Sequence, residues 1–250
     1  MSEWHIPSHI HPLFHDGGVV YFNGEKGSWG VSNRLVGRAM LDAAGVIDNM
    51  DLNWPELDRG EPPPHELIPH LVNAGLLAPG QGQEQRSDYP YATPPPDIED
   101  TEIGSVLMVR GAIAYEPPLQ SSMLDAAQAC LRQALCLITS VEHGERFTAI
   151  IEALQTARGD NAIPATVEQA TKQAEIIRHV GDPYPNKVAC LERTLSVALL
   201  GARQGLDIET HMGAGVDPID FHAWPVAQGK PIRLEYDDAV IGRYHSVFRF

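Results

Sequence analysis

A proline-rich stretch constrains this chain most strongly, because it separates two regions that can each bury a hydrophobic core. Between Pro79 and Asp100 the sequence has five prolines and two glycines, and aliphatic residues are scarce. Such a segment buries too little apolar surface to offset the entropy lost on ordering, which is typical of a linker. We therefore predict a small domain at residues 1–78, a linker at residues 79–102 and a larger domain at residues 103–250.

The small domain is predicted to start with a short antiparallel meander and to continue with helices. Turn signals enclose the β-rich run Val19–Phe22, and Ser28–Val31 supplies a further strand. Asn33 or the serine before it can cap a helix over Arg34–Ala44, and His65–Ala74 has the apolar spacing of a second helix. This order predicts a winged helix-turn-helix, whose helices carry too few basic residues for DNA binding.

The larger domain is predicted to be α+β, with helices first and an antiparallel sheet afterwards. Apolar residues recur at helical spacing in four segments, at residues 124–138, 147–154, 167–180 and 190–205. The pattern then changes to short runs bounded by glycine and proline turns, which predicts strands at residues 206–212, 221–226 and 231–234.

The composition disfavours several classes of partner. The 18 basic and 33 acidic residues give a net charge of −15, which argues against binding to nucleic acid or anionic membranes. No apolar run approaches the roughly 20 residues of a membrane span, and the first residues lack the pattern of a signal peptide. Three cysteines without a Cys-x-x-Cys motif fit the reducing cytoplasm. We expect a cytoplasmic protein.

Cys190 is the candidate nucleophile. It opens the predicted helix Cys190-Leu-Glu-Arg-Thr-Leu-Ser-Val-Ala-Leu-Leu200. The helix dipole and the unpaired N–H groups of the first turn favour a thiolate there. Cys130 and Cys136 lie within a predicted helix and are interpreted as packing residues. Because most single cysteines are buried core residues, the interpretation of Cys190 depends on a histidine partner.

His222 is the candidate base. It lies in Phe221-His-Ala-Trp-Pro225, a predicted strand 32 residues after Cys190. A thiol at a helix N-terminus followed by a histidine on a strand resembles the arrangement in papain-like and transglutaminase-like enzymes. The alternative is a partly buried sheet histidine that forms hydrogen bonds and takes no part in chemistry.

A third group should orient the imidazole through its second nitrogen. Asp237 is the first choice and Glu235 the second, since both follow the predicted turn at Gly229; an acidic surface loop is the alternative.

The spacing of the N-terminal histidines matches no common zinc pattern, and no cysteine or clear carboxylate completes a site there. We predict neither a metal nor a cofactor. The histidines concerned are His5, His9, His11 and His15.

Several motifs together resemble the transglutaminase-like B proteins of lasso-peptide biosynthesis. They are the Cys190–Leu200 run, Gln204-Gly-Leu206, His222-Ala-Trp224 and Arg243-Tyr244. The likeness is strong from about Ala174 to the end of the chain and looser before it. The first 80 residues or so are similar to PqqD-like leader-recognition domains, which are known both as separate proteins and fused to such a peptidase.

The resemblance implies a cysteine peptidase that binds the leader of a ribosomally made precursor peptide and hydrolyses the leader–core bond. An asparagine-synthetase-like cyclase would then close the macrolactam. By this likeness Cys190 is the nucleophile and His222 the base. The acid of the family usually falls where Leu234 stands here, so an insertion in the hairpin would be needed to bring Asp237 into place.

The resemblance also implies where the leader binds. In PqqD-like domains a peptide adds to the third strand and packs on a helix beside it. Here Trp29 and Val31 lie on that strand, and Leu67 and Leu71 offer an apolar groove. For the two leucines, filling the domain's own core is an equally good interpretation.

A different class of function is also open, namely a non-catalytic scaffold that presents the precursor to the cyclase. Acyl transfer to an amine in place of hydrolysis is a close variant.

Overall fold

The structure, a computed structural model, has two regions of mixed helix and strand that pack against each other. The described residues are 3–45, 63–80, 91–92, 121–142, 145–159, 161–183, 188–216, 219–234 and 238–250. The mixed helix-and-sheet architecture agrees with the prediction. Within these ranges no helix is long and apolar enough to cross a lipid bilayer.

The N-terminal region is built on the predicted antiparallel meander. Its strands are β1 (Trp4–His5), β2 (Ile10–His15), β3 (Gly18–Asn23), β4 (Ser28–Asn33), β5 (Ala78–Pro79) and β6 (Tyr91–Ala92). In the main sheet the order is β4-β3-β2-β6, and β6 runs parallel to β2; β1 pairs separately with β5. β4 is therefore at the edge of the four-stranded sheet.

Local sequence signals fix the turn before β3 and the start of the first helix. Gly18 has a φ of +145°, and a Cβ there would collide with the carbonyl oxygen of Ser32 on β4. Glycine is therefore required at this close approach of two strands. Asn33 accepts a hydrogen bond from the Val36 N–H at 3.2 Å and so caps α1 (Arg34–Ala43), as predicted.

The two faces of this sheet pack against different partners, because successive strand residues point to opposite sides. Val19 faces α1 and a second helical segment, a 3₁₀ turn (Pro64–Leu67) that continues into α2 (Ile68–Asn73). Val20 and Phe22 point the other way, toward the C-terminal region. The core between sheet and helices consists of Ile6, Ile10, Phe14, Val19, Ala39, Met40, Leu41, Ala44, Leu71, Leu76 and Leu77.

In the C-terminal region three helices pack around a fourth. The outer helices are α3 (Ser121–Thr139), α4 (Arg146–Arg158) and α5 (Val167–Gly181), and the central one is α6 (Cys190–Ala202). Every residue of α6 from Arg193 to Ala202 is buried. A helix that is buried on all sides is held rigidly by its neighbours, so α6 is a firm support for its own first turn.

The strands of the C-terminal region are β7 (Ile163–Pro164), β8 (Leu206–Asp207), β9 (Glu209–Val216), β10 (Ile219–Ala227), β11 (Lys230–Pro231) and β12 (His245–Arg249). β7 and β8 form a short parallel pair, and the main antiparallel sheet has the order β11-β10-β9-β12. α6 packs on β9 and β10. The strand predicted at residues 231–234 is shorter than expected, and β12 is an additional strand.

The two main sheets meet at an aromatic contact centred on Phe22. This buried ring lies 5.1 Å from the Trp29 ring, 4.9 Å from Phe147 on α4 and 5.0 Å from Phe248 on β12, measured between centroids. The N-terminal sheet is therefore sandwiched between its own helices and the C-terminal region. A smaller cluster joins the same two regions through Leu13, Val20 and Ala214.

Part of the predicted linker takes part in backbone pairing. Pro79 belongs to β5, and Tyr91–Ala92 forms β6 beside β2. Apart from Gly80, the remainder of residues 79–102 lies outside the described part of the chain. The domain boundaries and the winged-helix assignment of the first region stay predictions.

Candidate active site

Cys190 is the first residue of α6, as predicted, and its side chain is partly exposed. Partial positive charge and unpaired N–H groups concentrate at this end of a helix, which favours a thiolate. The other two cysteines differ. Cys130 is buried in α3, and burial raises the pKa of its thiol. Cys136 is exposed, so its interpretation as a packing residue was wrong.

The first turn of α6 is held by side chains on either side of the thiol. The Glu192 carboxylate accepts a hydrogen bond from the Ala189 N–H at 3.1 Å, which is half of a capping box. Arg193, which is buried, donates from Nε to the Val188 carbonyl at 3.3 Å and lies 3.4 Å from Asp182 at the end of α5. Arg193 therefore ties the end of α5 to the start of α6 and fixes how the helix N-terminus is presented.

His222 lies in the middle of β10, opposite Gly213 of β9. Its imidazole stacks on the Tyr244 ring, with centroids 5.1 Å apart and planes inclined by 28°. The Trp224 ring lies 6.1 Å from the imidazole and is nearly parallel to it, at 16°. Contact with two aromatic rings restricts the orientations open to the imidazole.

A charged cluster anchors Tyr244. Its hydroxyl donates to Asp220 Oδ2 at 2.9 Å and accepts from Arg243 Nη2 at 2.9 Å. Arg243 also forms an ion pair with Asp220 directly. Burial raises the pKa of Tyr244, and so does its hydrogen bond to the carboxylate, so the phenol stays a neutral donor at physiological pH. The hydrogen bond with Tyr244 raises the pKa of Arg243, which therefore stays charged.

The structure brings together the two elements that carry the predicted pair, since α6 packs on β10. Side chains alternate along β10, so His222 and Trp224 share one face. Ala223 points to the other face and joins the core that contains α6, whereas Trp224 does not belong to that core. Pairing of Cys190 with His222 stays a prediction.

The third catalytic group is also untested. Asp237 and Glu235 lie outside the described residues, so both remain predictions. Leu234, which stands where the resemblance implies an acid, is a buried apolar residue. Asp220 is a carboxylate on the strand of His222 that the sequence analysis did not consider. It precedes His222 by two residues on a strand, and this spacing alone predicts that both side chains share a face.

The predicted leader-binding residues fall in two places. Trp29 lies on the edge strand β4, and its ring stacks on Phe221 of β10 with centroids 4.4 Å apart. Val31, on the same strand, is 51% exposed. Leu71 is buried in the core of the N-terminal region, and Leu67 packs partly exposed beside it. Core packing therefore accounts for Leu71, while leader contact for all four residues stays a prediction.

A cavity of about 480 Å³ lies beside the rings of Trp224 and Tyr244. Both rings also contact the imidazole of His222, which does not itself line the cavity. Within the described ranges no group of three or more potential ligand side chains is arranged to hold a metal ion. The cavity is lined by Trp224, Pro231, Arg233, Ile241, Gly242, Tyr244 and Ser246.

Gly213 leaves the space that this site needs. A Cβ at Gly213 would lie 3.0 Å from the His245 carbonyl carbon and closer still to the Trp224 ring. We expect Gly213→Ala to lower the free energy of unfolding by about 1–3 kcal/mol, because overpacking must displace β12 or the indole. Urea denaturation measures this. Gly242→Ala is the matched control, since a Cβ there meets nothing within 4 Å, and an equal effect of both substitutions would contradict the argument.

Comparison with known proteins identifies the C-terminal part of the chain. A family model described as the transglutaminase-like superfamily matches residues 141–249, a range that contains both Cys190 and His222. No curated protein and no solved structure is significantly similar to the chain. The superfamily includes enzymes of the cysteine peptidase type. Residues 141–249 therefore constitute a transglutaminase-like domain, which joins a helix that begins with a cysteine to a sheet that carries a histidine.

Proposed function

We propose that the chain is a cysteine peptidase of lasso-peptide maturation, which binds the leader of a precursor peptide and hydrolyses the leader–core bond. The observation that carries the proposal is the position of Cys190, partly exposed at the N-terminus of a buried helix in a transglutaminase-like domain. A nucleophile in this place has a rigid support and an electrostatic environment that favours the thiolate.

In the proposed reaction the Cys190 thiolate attacks the carbonyl carbon of the last leader residue. N–H groups of the first helical turn are suited to stabilise the oxyanion that forms. Imidazolium at His222 gives its proton to the departing amine of the core, and a thioester to the leader remains. Water, deprotonated by the imidazole, then releases the leader as a carboxylate. The free core amine becomes the substrate of the asparagine-synthetase-like cyclase, which we propose as the partner.

The leader is proposed to bind along β4. Within the described residues the outer side of this strand carries no neighbouring strand, so its backbone groups are available for β-augmentation. Trp29 on β4 stacks on Phe221, the residue before His222. A peptide held on β4 is therefore close to the strand that bears the proposed base, which supports delivery of the leader–core bond to the site.

One observation favours a second candidate, the non-catalytic scaffold. Alternation along β10 directs His222 away from the face on which Ala223 packs with α6. A histidine in that direction can serve as a packing and hydrogen-bonding residue of the sheet. In this case Cys190 would react as an ordinary thiol.

Alkylation of the thiol separates the two candidates. An ordinary thiol with a pKa of about 8.5 is less than about 1% ionised at pH 6, so iodoacetamide labels it slowly there. We expect Cys190 to be labelled at least tenfold faster at about pH 6 than such a thiol, and His222→Gln to abolish most of the difference. The Cys136→Ser background removes the other exposed thiol, and Cys130 is buried.

Mass spectrometry of tryptic peptides follows the labelling. Slow labelling that is the same with and without His222→Gln would favour the scaffold over the peptidase. The buried Cys130 serves as an internal control, since its labelling reports unfolding of the variant.

A further inference from the structure

We propose that Asp220, Tyr244 and Arg243 form a unit that positions the imidazole of His222. The proposal rests on the proposed function for its catalytic meaning, but the geometry is independent of it. Tyr244 and Asp220 are positioning residues in this view, because they act on His222 and contact no reacting atom. Neither the sequence motifs nor the family match assigns a role to Asp220.

Asp220 and His222 lie two residues apart on β10 and therefore project from the same face. Tyr244 bridges them, since its ring stacks on the imidazole at 5.1 Å and its hydroxyl donates to Asp220 Oδ2 at 2.9 Å. Arg243 holds the same hydroxyl from the other side. The phenol ring is thus fixed at its polar end and presents its flat face to the imidazole.

Asp220 Oδ1 and Arg243 Nε are both buried and have no hydrogen-bond partner among the described residues. Proteins pair nearly all buried polar atoms, so an unpaired one calls for an explanation. Here both unpaired atoms belong to the ion pair that holds the Tyr244 hydroxyl, whose ring stacks on His222.

The imidazolium form of His222 is favoured by the negative carboxylate on its own strand and by the electron-rich face of the Tyr244 ring. Arg243 offsets part of the carboxylate's charge through their ion pair. Asp220 therefore supplies, through Tyr244, the orientation that a directly bonded acid gives in other histidine bases. The charged or titratable groups on this side of the sheet include Glu209, His211, Asp220, Arg233, Arg243, Tyr244 and Arg249.

Nuclear magnetic resonance of the histidine rings in the full chain tests the proposal. Selective isotope labelling of histidine gives the ring signals, and His222→Gln assigns those of His222. We expect the stacked His222 ring protons to lie upfield, and Tyr244→Leu to remove this shift. Tyr244→Phe keeps the ring and loses both hydrogen bonds of the hydroxyl, so the signals should broaden or move while the upfield shift is partly retained.

Asp220→Asn should lower the titration midpoint of His222 by about half a unit or more. The substitution removes the negative charge that favours the imidazolium, while Arg243 keeps its positive charge. Asp125→Asn, an exposed carboxylate on α3, is the charge-matched control, and Tyr21→Phe in the N-terminal region is the control for the hydroxyl. Cys190 labelling at about pH 6 should slow several-fold in Asp220→Asn and remain unchanged in both controls.

Two outcomes are distinguishable. If the His222 signals and titration midpoint in Asp220→Asn and Tyr244→Phe match those of the controls, the positioning unit is overturned. This holds whether or not the protein cleaves a precursor. If these signals change as expected while the parent protein labels slowly and cleaves no precursor, the positioning unit stands and the proposed function fails. Should Tyr244→Leu not fold, Tyr244→Phe and Asp220→Asn still decide the question.

Discussion

A Cys190→Ala variant is expected to bind the leader as tightly as the parent protein and to release no core peptide. The thiol is the proposed nucleophile, and without it no thioester forms; loss of a nucleophile commonly removes at least about 10³ of the rate. Leader binding should persist, because the proposed binding strand β4 belongs to the N-terminal region and Cys190 to α6.

Mass spectrometry of a precursor peptide after incubation with each variant measures core release. Cys136→Ala is the matched control, since this exposed cysteine lies on α3 outside the site and its loss should leave cleavage unchanged. Undiminished cleavage by Cys190→Ala would reject the nucleophile. The leader product also separates two reactions, because hydrolysis leaves a carboxylate and acyl transfer leaves an amide of different mass.

Phe22→Ala is expected to lower the free energy of unfolding by about 3–5 kcal/mol, since it empties a fully buried site. The ring contacts aromatic residues of both regions, with Phe147 and Phe248 on the C-terminal side. The substitution should therefore also loosen the contact between the regions. Urea denaturation gives the loss of stability, and a broadened or two-step transition would report the loosening.

Phe14→Ala is the matched control for Phe22→Ala. Phe14 is equally buried but belongs to the core between the first sheet and its own helices. Phe14→Ala should lower the free energy of unfolding by a similar amount, while the Trp29–Phe221 stack between the regions stays in place. If both variants change leader cleavage equally, the contact between the regions has no special effect on the site.

Features that depend on a few neighbouring residues could be predicted from the sequence. The cap at Asn33, the start of α6 at Cys190 and the strand around His222 all follow from local propensity and hydrogen bonding. The exposed position of Cys136 was missed because its helix covers the core on one side, and the sequence pattern does not show where that side ends.

Contacts between distant segments could not be predicted in this way. Tyr91–Ala92 lies in a stretch with the composition of a linker, yet it pairs with β2 because the fold supplies an edge for it. Tyr244 meets His222 because a 3₁₀ segment, Asp238–Arg243, leads the chain back beside β10. A single sequence carries no signal for such an encounter, apart from the two-residue spacing that places Asp220 and His222 on one face.

Within the described residues no strand pairs with the outer side of β4, which has a consequence for the behaviour of the protein without a peptide. A strand edge without a neighbouring strand can pair with the same edge of a second molecule. The half-exposed Val31 adds apolar surface to this edge. The net charge of −15 opposes such self-association by mutual repulsion, more weakly as salt is added. The proposed peptide binding and any self-association thus compete for the same row of N–H and carbonyl groups, so a bound peptide should oppose self-association.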